Sequence, residues 1–317
     1  MIIILKTNQR CNMPLFSIKG KKLDKIEKID FKLEKDLQKL TEDNLGIIFN
    51  NLEFITTELQ LDNLRIDTLA FDNDTNSFVI IEYKKGHHYG LVDQGIAYLG
   101  LLHNNKGEFV AEYNELKDKR LKRNDIDWSQ SKIIFISPRF NTYQLKSTEF
   151  RGFPFELWEV SLYNNNSLLF NEIKPQKGRE SFDKVMPDDE KLKNVNKEVK
   201  TYSEHEHLKN LPEDIKELYG EIKDRIMDLS PNIDIKPTKL YVAFYSNNNF
   251  VYTFFFKKQI NFVLNLKVGK LKDPEKIARD ISEIGHQGYG DYRVTVKPGA
   301  DLDYLMLLIK QAFKNNS

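Results

Sequence analysis

Cysteine occurs once in the 317 residues, at Cys11. That excludes an internal disulfide and a thiolate zinc cluster, and it fits a reducing compartment. Long apolar runs are missing too: nothing approaches the roughly 18 residues that cross a bilayer as a helix, so no membrane partner is expected. The apolar start Met1-Ile2-Ile3-Ile4-Leu5 lacks the length, cationic lead and cleavage site of a signal peptide. Cytoplasm is the expected location. Met13, ahead of Pro14-Leu15-Phe16, reads as an alternative start to Met1. An excess of one charge is absent as well, since 48 Lys+Arg face 47 Asp+Glu for a net charge of +1. Coating nucleic acid by bulk charge is thereby excluded, while a local basic groove is not. No Ser-His-Asp or Cys-His set is recognisable.

What is present is the composition of a folded protein, 40% hydrophobic and 30% charged, with length for about two domains. Helical spacing runs from Phe31 to Phe54. It gives way to period two around Arg65–Phe71, then a turn at Asp72–Asn76, then a second strand from Phe78 to Lys84. Val79, Ile80 and Ile81 are consecutive, which predicts a central strand covered on both faces. A helix is expected over Leu91–Leu102 and further strands at 132–136, 155–163 and 167–173. Residues 174–210 lose periodicity and fill with Lys, Glu, Asp, Pro and Asn. The expected division is therefore a first domain over 1–175, a linker over 176–209 and a C-terminal α+β domain over 210–317. In the last, a helix over 212–229 precedes β-prone stretches at 240–245, 250–256 and 261–268. Asp273-Pro274 reads as a helix start, and a strand at 292–296 and a helix over 301–313 follow.

Chemistry concentrates in Arg65-Ile66-Asp67 and Glu82-Tyr83-Lys84. Strand alternation puts Glu82 and Lys84 on one face with Phe78 and Ile80, where an acid and an amine are costly without a partner or task. A hairpin brings Asp67 beside Glu82. Two carboxylates that close repel, and a hard divalent cation with oxygen ligands neutralises them. Such an ion lowers the pKa of its water and offsets charge on a phosphate being cleaved; Lys84 is placed to assist.

These residues resemble the PD-(D/E)XK nuclease superfamily, most closely NucS-like endonuclease domains, over roughly residues 15–175. The quoted pattern is a helix glutamate (Glu34), Arg65-Ile66-Asp67, the apolar strand ending Glu82-Tyr83-Lys84, and Gln94-Gly95-Ile96-Ala97-Tyr98 on a helix. The resemblance implies a restriction-endonuclease-like mixed sheet flanked by helices. It further implies that Asp67 and Glu82 hold Mg²⁺ or Mn²⁺, that Glu34 and the Tyr83 carbonyl complete the shell, and that Lys84 is catalytic. Gln94 and Tyr98, four apart on one helix face, are implied to point at the same site. Glu42 is the substitute if Glu34 points away. The implied activity is metal-dependent hydrolysis of DNA in repair, restriction or defence; the alternative is an inactive nuclease-fold module that binds nucleic acid or protein.

The C-terminal stretch, with Lys239-Leu240-Tyr241-Val242-Ala243-Phe244 and Gly285-His286-Gln287-Gly288-Tyr289-Gly290, resembles a domain of unknown function appended to such nucleases. It is sometimes labelled a predicted transport protein, which gives a third reading as a small-molecule accessory. A homodimer through this domain is an expected arrangement, since cutting both strands calls for paired sites. Other candidates carry less. His205 and His207, two apart, do not share a helix face for metal binding, and Gly285–Gly290 reads as a turn. His87-His88 fits an ordinary polar turn better than a phosphate contact. The run Lys117, Lys119, Arg120, Lys122 and Arg123 suits either a DNA backbone or a solvated helix. The aromatics from Tyr241 to Phe256 suit base stacking less well than a core or dimer face.

Overall fold

A computed structural model of the protein describes residues 14–84, 90–118, 120–147, 154–174, 202–284 and 290–316. The Met1/Met13 start, His87-His88, Lys119 and most of the expected linker lie outside them. The chain opens with a separate hairpin, β1 (Leu15–Lys19) and β2 (Lys22–Ile26), and the edge strand β3 (Lys28–Ile29). Helices α1 (Glu34–Asp43) and α2 (Leu45–Ile48) precede an antiparallel meander of β4 (Leu52–Leu61), β5 (Leu64–Asp72) and β6 (Ser77–Tyr83). Then α3 (Leu91–Asn104) and α4 (Lys106–Lys117) cross to β7 (Lys132–Ser137), parallel to β6. After α5 (Thr142–Ser147), β8 (Phe155–Tyr163) pairs parallel to β7, and β9 (Leu168–Glu172) returns on β8.

The result is a seven-stranded mixed sheet in the order β3-β8-β7-β6-β5-β4, with β9 also on β8. Every residue of β6 is buried, as its unbroken apolar run requires of a strand covered on both faces. Alternation divides the core. Leu69, Phe71, Phe78 and Ile80 pack against Leu91, Tyr98, Leu99 and Phe109 of α3 and α4. Ala70, Val79, Ile81 and Tyr83 face Leu37 and Leu45 of α1 and α2 on the other side. At Gly95 of α3 an added Cβ would overlap the Phe155 ring, so the glycine lets helix and sheet approach.

The second unit begins earlier than composition indicated. Helix α6 (Glu204–Leu208) lies inside the stretch read as linker, and Leu208 already packs on the C-terminal core. Helices α7 (Glu213–Met227) and α8 (Leu302–Asn316) cover one face of an antiparallel sheet. Its strands are β10 (Asp234–Pro237), β11 (Val242–Tyr245), β12 (Asn249–Phe256), β13 (Gln259–Leu264), β14 (Ala278–Asp280) and β15 (Tyr292–Val296), ordered β10-β11-β12-β13-β15-β14.

Two local expectations fail for identifiable reasons. The helical pattern does not reach Phe54: it ends at Ile48, and Leu52 to Leu61 pair with β5 instead, in keeping with the β-branched Ile55-Thr56-Thr57. No helix starts at Asp273. Its carboxylate accepts from the Ala278 N–H (2.7 Å) and the Tyr304 hydroxyl (2.7 Å), and Lys276 takes a left-handed φ of 56°, which a helix forbids.

Candidate active site

The site forms where β6 ends. The β5–β6 pairing runs to Thr68↔Ile81, and one step further sets Asp67 beside Glu82. The Asp67 carboxylate accepts a hydrogen bond from the Tyr83 N–H at 3.1 Å, which fixes it against the strand carrying Glu82. Glu82 itself is 3% exposed. Its Oε1 accepts from the Lys84 ammonium at 2.9 Å and from Gln94 Nε2 at 2.8 Å. Gln94 also donates to the Tyr98 hydroxyl (3.0 Å), which donates to the Arg65 carbonyl (2.7 Å), two residues before Asp67. Helix α3 thus locks both acidic strands through one hydrogen-bonded chain that contains Lys84, Glu82, Gln94 and Tyr98, with Asp67 held alongside by the Tyr83 N–H.

Burial, and after it the Asp67 charge, push the Glu82 carboxyl up to about 7 against the pull of Lys84. Burial also raises the Tyr98 hydroxyl, with Glu82 adding to it. The other carboxylate oxygen, Glu82 Oε2, is buried with no hydrogen-bond partner among the described residues. An orphaned carboxylate oxygen beside a second carboxylate is the donor set a hard divalent cation takes.

Glu34 and Tyr83 stand differently. Glu34 opens α1, on the helix layer that packs against the face opposite α3, and no group of three or more His, Cys, Asp or Glu forms a metal cluster among the described residues. The Tyr83 ring is buried in that opposite core, 3.4 Å from Thr68 Oγ1 through its hydroxyl, so only its backbone can serve the site. Sequence reasoning missed Gln38. This buried side chain of α1 donates to the Asp67 carbonyl (2.9 Å), to Thr57 Oγ1 and to Glu42 (both 3.1 Å), and Glu42 in turn accepts from Thr68 Oγ1. The Gln38 contact is with a backbone carbonyl of strand β5, for which the sequence carries no signal.

The remaining candidates sort by position. The basic run sits by the start of β6, not its end: Lys117 approaches Glu53 (3.8 Å) and the Phe54 ring, and the loop after Arg123 bonds to Asn76. Tyr241, Phe244, Phe250 and Tyr252 are all 1% exposed or less, so these aromatics are core and not a surface for stacking bases. His207 is spent on the Thr238 carbonyl at 2.7 Å. The segment 285–289 lies outside the described residues. No helix among the described residues is long and apolar enough to cross a membrane.

Residues 204–316 match a family described as a domain of unknown function, DUF5655. Among solved structures the chain is similar to an EndoMS–dsDNA2 complex, with 17% identity, 41% of this chain, 47% of that one and a TM-score of 0.28. A repair endonuclease from Pyrococcus abyssi gives 18%, 42%, 50% and 0.27, and Pyrococcus furiosus SfsA with Ca²⁺ gives 15%, 45%, 64% and 0.25. The chain spans about half the length of the first two structures. A Haemophilus influenzae protein described as uncharacterized is 42% identical over 303 residues, covering 96% of this chain and all of the relative. Identity of that extent makes the chain a member of the family of this Haemophilus influenzae protein.

Proposed function

We propose that the N-terminal unit is a PD-(D/E)XK-type nuclease that hydrolyses DNA phosphodiesters at the Asp67–Glu82 site with Mg²⁺ or Mn²⁺. One observation carries the reading: Glu82 is buried beside Asp67 with Oε2 unpartnered, and once both carboxylates are ionised a bound cation relieves their repulsion. Asp67 and Glu82 are the residues that would hold the ion, with the Tyr83 carbonyl and Glu34 proposed to complete its shell. When bound, the ion supplies an acidified water and a counter-charge to the phosphate.

The chain's own groups do the rest. Gln94 holds the Glu82 carboxylate in orientation, and Tyr98 holds Gln94, so that Oε2 stays directed at the site. Lys84, on the same strand face, neutralises part of the acidic charge and lies where a phosphate oxygen gains from a cation. Burial of Glu82 strengthens its interactions with Lys84 and Gln94, while the half-buried Asp67 leaves the site a way in from solvent.

Labelled single-stranded, duplex and branched DNA, incubated with Mg²⁺ or Mn²⁺ and with EDTA, test the proposal beside Glu82→Ala and Lys84→Ala. Cleavage that needs the cation and both side chains is expected. DNA binding without cleavage on every substrate, indifferent to chelator, would replace the reading with a non-catalytic nucleic-acid module.

A further inference from the structure

The hairpin that opens the described chain is a sheet of its own. β1 pairs with β2 alone, and two strands are marginal in water without something to pack on. Alternation gathers Phe16, Ile18 and Leu23 on one face, Ile18 directly opposite Leu23 beside the turn. These three side chains are 44%, 77% and 64% exposed. The turn reads Lys19-Gly20-Lys21-Lys22, and residues 15–28 carry five lysines against Asp24 and Glu27, a charge of +3 where the whole chain has +1. Asp24 takes up Lys19 (2.6 Å) and Glu27 takes up Lys25 (3.6 Å). Lys21 and Lys22, exposed at the tip, make no ion pair among the described residues.

Strand β3 fixes where the hairpin hangs. Lys28 pairs with Tyr163, the last residue of β8, and β8 runs parallel to β7 and β6. The hairpin therefore leaves the sheet at the end where β6 delivers Glu82 and Lys84. The Lys28 ammonium reaches the Pro138 carbonyl (3.4 Å) just past β7, and the side chain of the adjacent, exposed Arg139 makes no bond among the described residues. In strand order, cationic groups thus lead from Lys84 through Arg139 and Lys28 to the hairpin tip. Three strand spacings of about 4.8 Å separate β6 from β3, well inside one duplex turn of about 34 Å.

A second copy seated on this face would bring two lysine-rich hairpins together, which like charge opposes. A polyanion is attracted instead. Two-stranded ribbons enter duplex grooves, and apolar side chains beside basic ones wedge between base steps of the minor groove. We infer that the β1–β2 hairpin grips the DNA held at the Asp67–Glu82 site, with Lys21 and Lys22 on phosphates and the Ile18–Leu23 pair in a groove. The inference rests on the cleavage reading for the identity of the polyanion.

Fluorescence anisotropy of labelled duplex DNA with the full chain in EDTA reads binding apart from cleavage. Lys21→Glu with Lys22→Glu should weaken binding at least about tenfold and flatten the dependence of log affinity on log salt by about 2. Ile18→Ser with Leu23→Ser should weaken binding about fivefold with the salt dependence unchanged, since no phosphate contact is lost. Arg120→Glu with Lys122→Glu puts the same charge change on exposed residues at the other end of the sheet and should cost less than about threefold. The same ranking is expected in kcat/KM for duplex cleavage in Mg²⁺. Hairpin variants that bind and cut like the unaltered chain, or that lose no more than the Arg120/Lys122 variant, would overturn the inference and leave the cleavage reading standing. Hairpin variants that keep DNA affinity but alter the sedimentation of the chain would assign this face to a second copy. An unaltered chain that neither binds nor cuts DNA would remove the cleavage reading and this inference together.

Discussion

Replacing Glu82 by glutamine should stabilise the protein at alkaline pH while abolishing its proposed activity. Burial and the neighbouring Asp67 raise this carboxyl from 4.5 to about 7. A group that holds its proton more tightly folded than unfolded contributes its full stability below about pH 4.5 and loses it as the pH rises through about 7. At about 1.4 kcal/mol for each of those pH units, the ionised Glu82 costs the fold up to about 3 kcal/mol at pH 8.5. Glutamine is neutral like the protonated carboxyl and keeps an oxygen for Lys84 and Gln94, and the pull of Lys84 on the ionised form is already contained in the rise to about 7. Urea unfolding of both proteins in EDTA should then show Glu82→Gln more stable by about 3 kcal/mol at pH 8.5 and nearly equal at pH 4.5. A variant that is less stable at pH 8.5, or a difference independent of pH, would refute the claim that Glu82 is a strained buried carboxylate. Adding Mg²⁺ at pH 8.5 should raise the thermal midpoint of the unaltered protein and leave that of the variant in place.

Three further outcomes are expected. Tyr98→Phe removes the hydroxyl that ties Gln94 to the Arg65 carbonyl; it should cost about 1 kcal/mol in unfolding experiments and lower kcat for DNA cleavage without raising KM, whereas a raised KM alone would place Tyr98 in substrate binding. Gly95→Ala drives a methyl into the Phe155 ring, and chemical denaturation should record a loss of about 1–3 kcal/mol; no loss would mean that α3 sits further from β8. Asp74→Ala leaves the Tyr252 and Asn249 donors without an acceptor, at a cost of about 2 kcal/mol. Calorimetry should then resolve two unfolding steps in place of one if Asp74 couples the units, and a single unchanged transition would argue that other contacts suffice.

Most of the residues that meet at the end of β6 were singled out before any coordinate. The run Phe78–Ile81 announced a strand covered on both sides, and an acid and an amine at its end were conspicuous because alternation put them on a buried face. Gln94 and Tyr98 came from the resemblance to the nuclease pattern, helical spacing adding only that they share a face. Gln38 was not readable, because its contribution is a bond to a backbone carbonyl of a different strand, and a glutamine in a charged helix carries no mark of that. The span of Glu34 was equally illegible: alternation fixes which face a strand residue takes but says nothing about how far along the sheet a covering helix is set. Strand β4 was missed since Leu52 and Phe54 fit a helical period by accident, and only pairing with β5 selects the extended form.

By itself the sequence determined the class of most long elements, β4 excepted, and the residues gathered at the end of β6, because periodicity and local charge act over a few residues and are written in order along the chain. Only the tertiary structure decided which Glu82 oxygen is left without a partner, that the basic run lies at the other end of the sheet, and that the second unit docks on Asp74. Those properties depend on contacts between residues as far apart as Asp74 and Tyr252, and they follow from how strands stack and helices seat, which no local pattern encodes.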